Sequence, residues 1–104
     1  MATPEKKVKV KVCDILKKLG AYYFYASTGG YGASGVPDII ACYKGKFIGI
    51  ECKANGNRPT ALQQKHLRDI SIQGGISLLI DETNIDMLDY YVTGKQTFNL
   101  NERE

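Results

Sequence analysis

The stretch GVPDIIACYKGKFIGIECK, Gly35 to Lys53, decides the fold. At its centre Lys44-Gly45 is a two-residue turn signal between two β-prone runs, Asp38 to Tyr43 and Lys46 to Lys53. That arrangement predicts a tight antiparallel hairpin. With Tyr43 facing Lys46, counting outward along both arms sets Asp38 opposite Glu51. Side chains alternate along a strand, so Lys53 shares their face with Ile40, Cys42, Phe47 and Gly49. The other face carries Ile39, Ala41, Tyr43, Ile48, Ile50 and Cys52. Both faces are largely apolar, which predicts central strands covered by helices on each side. Cys42 and Cys52 fall on opposite faces, which disfavours a disulfide between them, and both read as core thiols.

Two carboxylates and an ammonium thus converge on one patch. Facing residues have Cβ atoms roughly 4.5–5.5 Å apart, and like charges so opposed are destabilising. Poor solvation makes the conflict worse. A hard divalent cation, Mg²⁺ or Mn²⁺, would resolve it through carboxylate oxygens, a backbone carbonyl and waters. The alternative reading is a Glu51–Lys53 ion pair at the sheet end with Asp38 in solvent.

Outward from the hairpin, Pro4 to Leu19 reads as a helix capped by Thr3, with Pro4 in its first turn and Gly20 after its end. Val8, Val12, Ile15, Leu16 and Leu19 form its inward stripe, and Glu5 points with them, an odd place for a carboxylate. Lys7, Lys11 and Lys18 occupy another face. Ala21 to Ala26 is tyrosine-rich and β-prone. Ser27 to Val36 contains four glycines and reads as a loop. After a polar turn at Asn55 to Pro59, Thr60 caps a helix running to about Gln73 and ended by Gly74-Gly75. Gln63, Leu67 and Ile70 share one face of it, so Gln63 is the glutamine expected to point at the sheet, and Gln64 lies on a polar face. His66, the single histidine, reads as a structural or surface residue. Ile76 to Ile80 is a buried strand and Asn84 to Tyr91 a last helix. The order α-β-β-β-α-β-α predicts an α/β domain with a mixed central sheet flanked by helices.

With 104 residues, 43% hydrophobic and 24% charged, the chain is expected to form one domain, 1–104, with one core. Its short apolar runs predict no membrane-spanning helix, and without a leader-like start secretion is not expected. Three cysteines without CxxC spacing fit a reducing, cytoplasmic setting. The net charge of +3 is unevenly spread: six lysines precede Ala21, and six acids follow Ile80. That asymmetry suits a phosphate-facing surface, though a solvated surface would show it equally well.

GVPD followed after a short hairpin by Glu51-Cys52-Lys53 resembles the PD-(D/E)xK nuclease signature. The wider set of Glu5, a glycine-containing loop, GVPD, GIECK, and Arg58-Pro59-Thr60 with Gln63 is similar to the stand-alone phage or prophage type of VRR-NUC domain, a virus-type replication-repair nuclease, over about residues 3–80. The resemblance implies a restriction-endonuclease-like core that hydrolyses DNA phosphodiesters with Mg²⁺ or Mn²⁺. Asp38 and Glu51 would ligate metal with the backbone carbonyl of Cys52, and Glu5 would join directly or through water. Lys53 would position or activate the attacking water, and Gln63 would orient Lys53 or that water. Whether one metal or two take part stays open.

Phosphate contacts are expected from Lys7, Lys11, Lys44, Arg58, Lys65 and Arg68; Ser27, Tyr31 and Ser34 of the glycine loop lie near the site by sequence, where a DNA contact and a loop making none are both open readings. Without a base-reading module, selectivity for branched DNA such as four-way (Holliday) junctions is expected. So is a homodimer through Tyr22, Tyr23 and Tyr25 or through Asp86 to Tyr91. The rival readings are a non-catalytic DNA-binding module with this fold, and a nuclease acting on flaps, linear ends or single strands.

Overall fold

A computed structural model describes residues 2–26 and 34–94. The elements follow the order α1 (Pro4–Leu19), β1 (Tyr22–Tyr25), β2 (Ile39–Tyr43), β3 (Lys46–Cys52), α2 (Ala61–Ile72), β4 (Ile76–Ile80), a 3₁₀ turn (Ile85–Met87) and α3 (Leu88–Thr93). The expected last helix is thus split into a 3₁₀ turn and a short α-helix. The remainder of the glycine loop, including Ser27 and Tyr31, lies outside the described residues.

Each boundary has a local cause. The Thr3 hydroxyl accepts the Lys6 N–H at 3.1 Å, Pro4 occupies the first turn, and Gly20 closes α1 in the left-handed region at φ 79°. Lys44 (φ 49°) and Gly45 (φ 85°) are both left-handed, as a two-residue hairpin turn of the primed type requires. The turn fixes the register, with Tyr43 facing Lys46, Ala41 facing Ile48 and Ile39 facing Ile50.

The four strands lie in the order β1-β2-β3-β4. The first three pair antiparallel, and β3 pairs parallel with β4, Cys52 beside Ile80. The sheet is therefore mixed, as expected. One face forms the core: Ile39, Ala41, Ile48, Ile50, Cys52 and Ile80 are buried beneath Val8, Val12 and Leu16 of α1 and Leu88 and Val92 of α3.

The second face departs from expectation. A 12-residue helix is about 18 Å long, and α2 covers the sheet only over β3 and β4, where Gly49 and Gly75 let Ile70 approach. Over β1 and β2 no described helix covers that face. Tyr22 and Phe24 are exposed with their rings edge to face, Phe47 is 49% exposed, and Cys42 is exposed. Cys42 is therefore not a core thiol: strand alternation sets its face, but among the described residues no helix lies over it. Cys13 and Cys52 are buried.

Candidate active site

The carboxylates meet where the C-terminal ends of β3 and β4 reach the start of β2. Four local features aim Asp38. Gly35 turns through φ 79° against Leu62, so close that a Cβ would stand 2.7 Å from Leu62 Cγ. His66 Nε2 lies 2.9 Å from the Ser34 carbonyl oxygen and ties α2 to the chain entering the turn. Pro37 is buried over Gly49, where a Cβ would come within 3.1 Å of its ring. Asp38 then accepts the Cys52 N–H through Oδ2 at 2.8 Å, and its carbonyl accepts the Ala26 N–H at 2.9 Å. The aspartate is thus fixed to the residue after Glu51, as the hairpin register requires.

Glu51 is 1% exposed, the one buried charged residue among those described. Its Oε2 lies 3.4 Å from Lys53 Nζ, whereas Oε1 is buried and has no hydrogen-bond partner among the described residues. Burial, then the nearby Asp38 charge, push its carboxyl up to about 7 against the restraining effect of Lys53. Burial raises the Cys52 thiol too, with Asp38 and Glu51 adding to it. That sulfur lies buried in the core, where the neutral thiol is favoured. An ion pair of Glu51 with Lys53 is present, as the alternative reading held, but Asp38 is not left in solvent: it is bonded to the backbone and paired with a second lysine.

That lysine is Lys9, which the sequence reading passed over. Its Nζ lies 3.4 Å from Asp38 Oδ1 and 3.7 Å from Glu5 Oε2. Burial pulls its pKa down, but Asp38 and Glu5 outweigh burial and leave it raised. The available signal was the i, i+4 spacing of Glu5 and Lys9 on the flank of α1 beside the inward stripe. Glu5 reaches the cluster through Lys9 and is not part of the buried stripe; its side chain is 36% exposed.

Gln63 requires a correction. Its Oε1 accepts the Thr60 N–H at 2.9 Å while the Thr60 hydroxyl accepts the Gln63 N–H at 3.1 Å, a reciprocal capping box at the start of α2. Gln64 donates to the Pro59 carbonyl oxygen at 3.3 Å. The hydrogen bonds of both glutamines run to Thr60 and Pro59 at the start of α2. At the third position of a helix opened by threonine, the cap claims the amide before the sheet can.

The expected phosphate-binding residues are all exposed and divide by position. Arg58 and Arg68 line a groove of about 540 Å³ with Asn57, Gln64 and Leu79, and Leu79 is the register partner of Glu51. Lys65 is paired with Asp69 at 2.8 Å. Lys7 and Lys11 line a different groove with Glu82 and Ile85, on the stripe of α1 opposite Glu5 and Lys9. Lys44 sits over the Tyr43 ring at the hairpin tip, six residue steps or roughly 20 Å from Asp38.

Among the described residues no three Asp, Glu, His or Cys side chains stand together as a metal-binding group, and Glu5 is linked to Asp38 through Lys9. A divalent ion would draw on Asp38, Glu51 and main-chain oxygen. The residues fit that role: Glu51 Oε1 is an orphaned buried acceptor beside a second carboxylate, both oxygen donors suited to a hard cation.

No protein-family model matches the sequence. A curated protein of Acyrthosiphon pisum secondary endosymbiont phage 1, named "Putative nuclease p44", is 29% identical over 87 residues, 81% of this chain and 89% of the phage protein. A solved structure described as a VRR_NUC domain superposes with a TM-score of 0.72 at 20% identity, covering 86% of this chain and 99% of that one. The mixed sheet, its helices and their order are therefore those of the VRR-NUC fold.

Proposed function

We propose that the chain is a metal-dependent DNA endonuclease acting on branched duplexes. The observation that carries the reading is the orphaned, buried Glu51 Oε1 facing a backbone-anchored Asp38, with Lys53 beside them. A domain this small keeps so costly an arrangement only where the charge is used. The similar phage protein and the shared fold point the same way.

Asp38 and Glu51 would hold Mg²⁺ or Mn²⁺, with the Cys52 carbonyl as a third protein donor. The ion, when bound, supplies counter-charge for the phosphate and acidifies a water. Lys53, held on the same face by Glu51, orients the attacking water and offsets charge gathering on the phosphate oxygens. Glu5 acts at one remove, through Lys9 or water. Gln63 secures α2, and with it the His66 contact to the turn before Asp38. Arg58 and Arg68 flank the path of the nucleic-acid backbone, in preference to Lys7, Lys11 and Lys44.

Two symmetric cuts across a four-way junction call for two active sites on a two-fold axis. The edge strand β1 supports a homodimer, because Tyr22, Phe24 and Tyr25 present exposed aromatic surface there. Tyr23 packs against the core, and the Asp86 to Tyr91 segment offers a tilted Tyr90–Tyr91 pair half-buried on α3. The test is cleavage of labelled four-way junction, flap, splayed-arm and linear duplex DNA in Mg²⁺ or Mn²⁺ by wild type, Asp38→Asn and Lys53→Ala. Paired nicks in the junction arms, lost in both variants while gel-shift binding survives, are expected. Cutting of flaps or ends instead would overturn the substrate, and binding without metal-dependent cutting would mark a non-catalytic DNA-binding module. A monomeric mass at micromolar concentration would overturn the dimer.

A further inference from the structure

The two oxygens of Asp38 have partners of different kinds. Oδ2 accepts a main-chain N–H, that of Cys52, which cannot retreat without unpairing the strand end. Oδ1 faces the Lys9 ammonium, carried on a four-carbon stem able to swing away. The same ammonium spans to Glu5, and its distances of 3.4 and 3.7 Å are those of charge pairing, longer than a tight charge-assisted hydrogen bond. Lys9 is also only 28% exposed, whereas the α1 lysines at 6, 7, 11, 17 and 18 are exposed. Its position is set by the acids it faces.

From this geometry we infer that Lys9 is a built-in counter-ion, held in place by Glu5: it competes with the divalent cation for Asp38 Oδ1, and so sets the affinity for metal. The inference rests on the metal-dependent reading above and assigns Lys9 a role within it. Three carboxylates, Glu5, Asp38 and Glu51, face two ammoniums, Lys9 and Lys53. A divalent ion entering there meets repulsion from Lys9 and must take from it an oxygen that it already neutralises. Lys9 thereby stabilises the cluster in the absence of metal and weakens metal binding by the same interaction.

The test is Mn²⁺ binding to the full chain by titration calorimetry, with Lys9→Met and Lys9→Arg beside wild type. Lys9→Met removes the charge at similar length and is expected to bind Mn²⁺ about tenfold more tightly. Lys9→Arg keeps the charge and stays near wild type. Melting gives a second readout through linkage. In EDTA Lys9→Met melts below wild type, and saturating Mn²⁺ raises its Tm by more than it raises that of wild type. Should Lys9→Met not fold in EDTA, Lys9→Gln provides the same comparison. Unchanged Mn²⁺ affinity in the uncharged variants overturns the proposal, and weaker binding makes Lys9 a positioning residue for Asp38. A wild-type chain with no saturable Mn²⁺ binding at millimolar concentration overturns the metal-dependent reading itself, and this proposal with it.

Discussion

Replacing Glu51 by glutamine should make the metal-free protein more stable while abolishing cleavage, and the gain should depend on pH. Glu51 is 1% exposed and its carboxyl is pushed up to about 7 from an ordinary 4.5. The folded chain therefore binds that proton more tightly than the unfolded chain. Stability from this group is fully present below about pH 4.5, is lost as the pH rises toward 7, and stays lost above. At about 1.4 kcal/mol per factor of ten, the gap corresponds to roughly 3 kcal/mol. Glutamine does not titrate, so the variant should match wild type near pH 4.5 and exceed it by up to about 3 kcal/mol at pH 8. Some of that is given back. The new amide N–H groups need acceptors and Lys53 loses its partner, which together cost on the order of 1 kcal/mol.

For a domain of this size about 1 kcal/mol moves Tm by 4–8 °C, so a rise of roughly 10 °C is expected at pH 8 in EDTA. The assay is a melting series from pH 4.5 to 8.5 on both proteins, repeated with Mn²⁺, which should stabilise wild type and leave Glu51→Gln unmoved. Asp69 and Asp81, held below the ordinary carboxylate range by Lys65 and by Thr83, act at lower pH and cancel in the difference. Two melting curves that run parallel across the whole series would refute the reasoning, because Glu51 would then carry no cost of ionisation.

Asp38→Asn keeps an oxygen for the Cys52 N–H, so it should fold with a Tm within a few degrees of wild type and lose cleavage; a chain that melts far lower would show the charge to be structural. Lys53→Ala strands Glu51 without its cation, and the stability loss should reach about 3 kcal/mol at pH 8 but shrink toward pH 5, where Glu51 is protonated, as denaturant titrations at the two pH values would show. Thr60→Ala removes the cap of α2 and should cost about 1 kcal/mol in the same titrations. Gln63→Glu keeps the capping box and should preserve both stability and cleavage, so selective loss of cleavage there would restore a catalytic role to Gln63.

What could be read from the chain was whatever local chemistry dictates. A two-residue turn needing left-handed backbone fixes a register, so Asp38 falls opposite Glu51 whatever packs around them. Thr3-Pro4 and Gly20 likewise bound α1 without reference to the rest of the molecule. The misreadings arose where two rules competed or where tertiary cover was assumed. Periodicity put Gln63 on an inward face, but the Thr60-x-x-Gln63 spacing is also a capping signature, and the cap is the nearer partner. Alternation gave Cys42 a face but not a cover, because the reach of α2 across the sheet is not written in β2. Lys9 escaped because an i, i+4 acid–base pair on a helix ordinarily means a solvated surface. Here the sheet places a second carboxylate against it.

The site is unevenly supported, and that unevenness bears on how it works. Asp38 is over-determined by a left-handed glycine against Leu62, a histidine contact, a buried proline over a glycine, and a main-chain hydrogen bond. Glu51 is held by its strand, with one oxygen answered by Lys53 and the other by nothing among the described residues. A fold built for stability alone would have placed an apolar residue at Glu51, since the side chain there is 1% exposed. Among the described residues the unanswered charge lies on Glu51, while its neighbour is clamped so that, on the metal-dependent reading proposed above, the pair would keep its geometry as a cation bound. Such a division is what a preorganised site requires: rigid donors, and an electrostatic deficit that only the cation relieves. It also separates the two carboxylates by experiment. Loss of Asp38 should show first in activity, and loss of Glu51 in activity and in a gain of metal-free stability together.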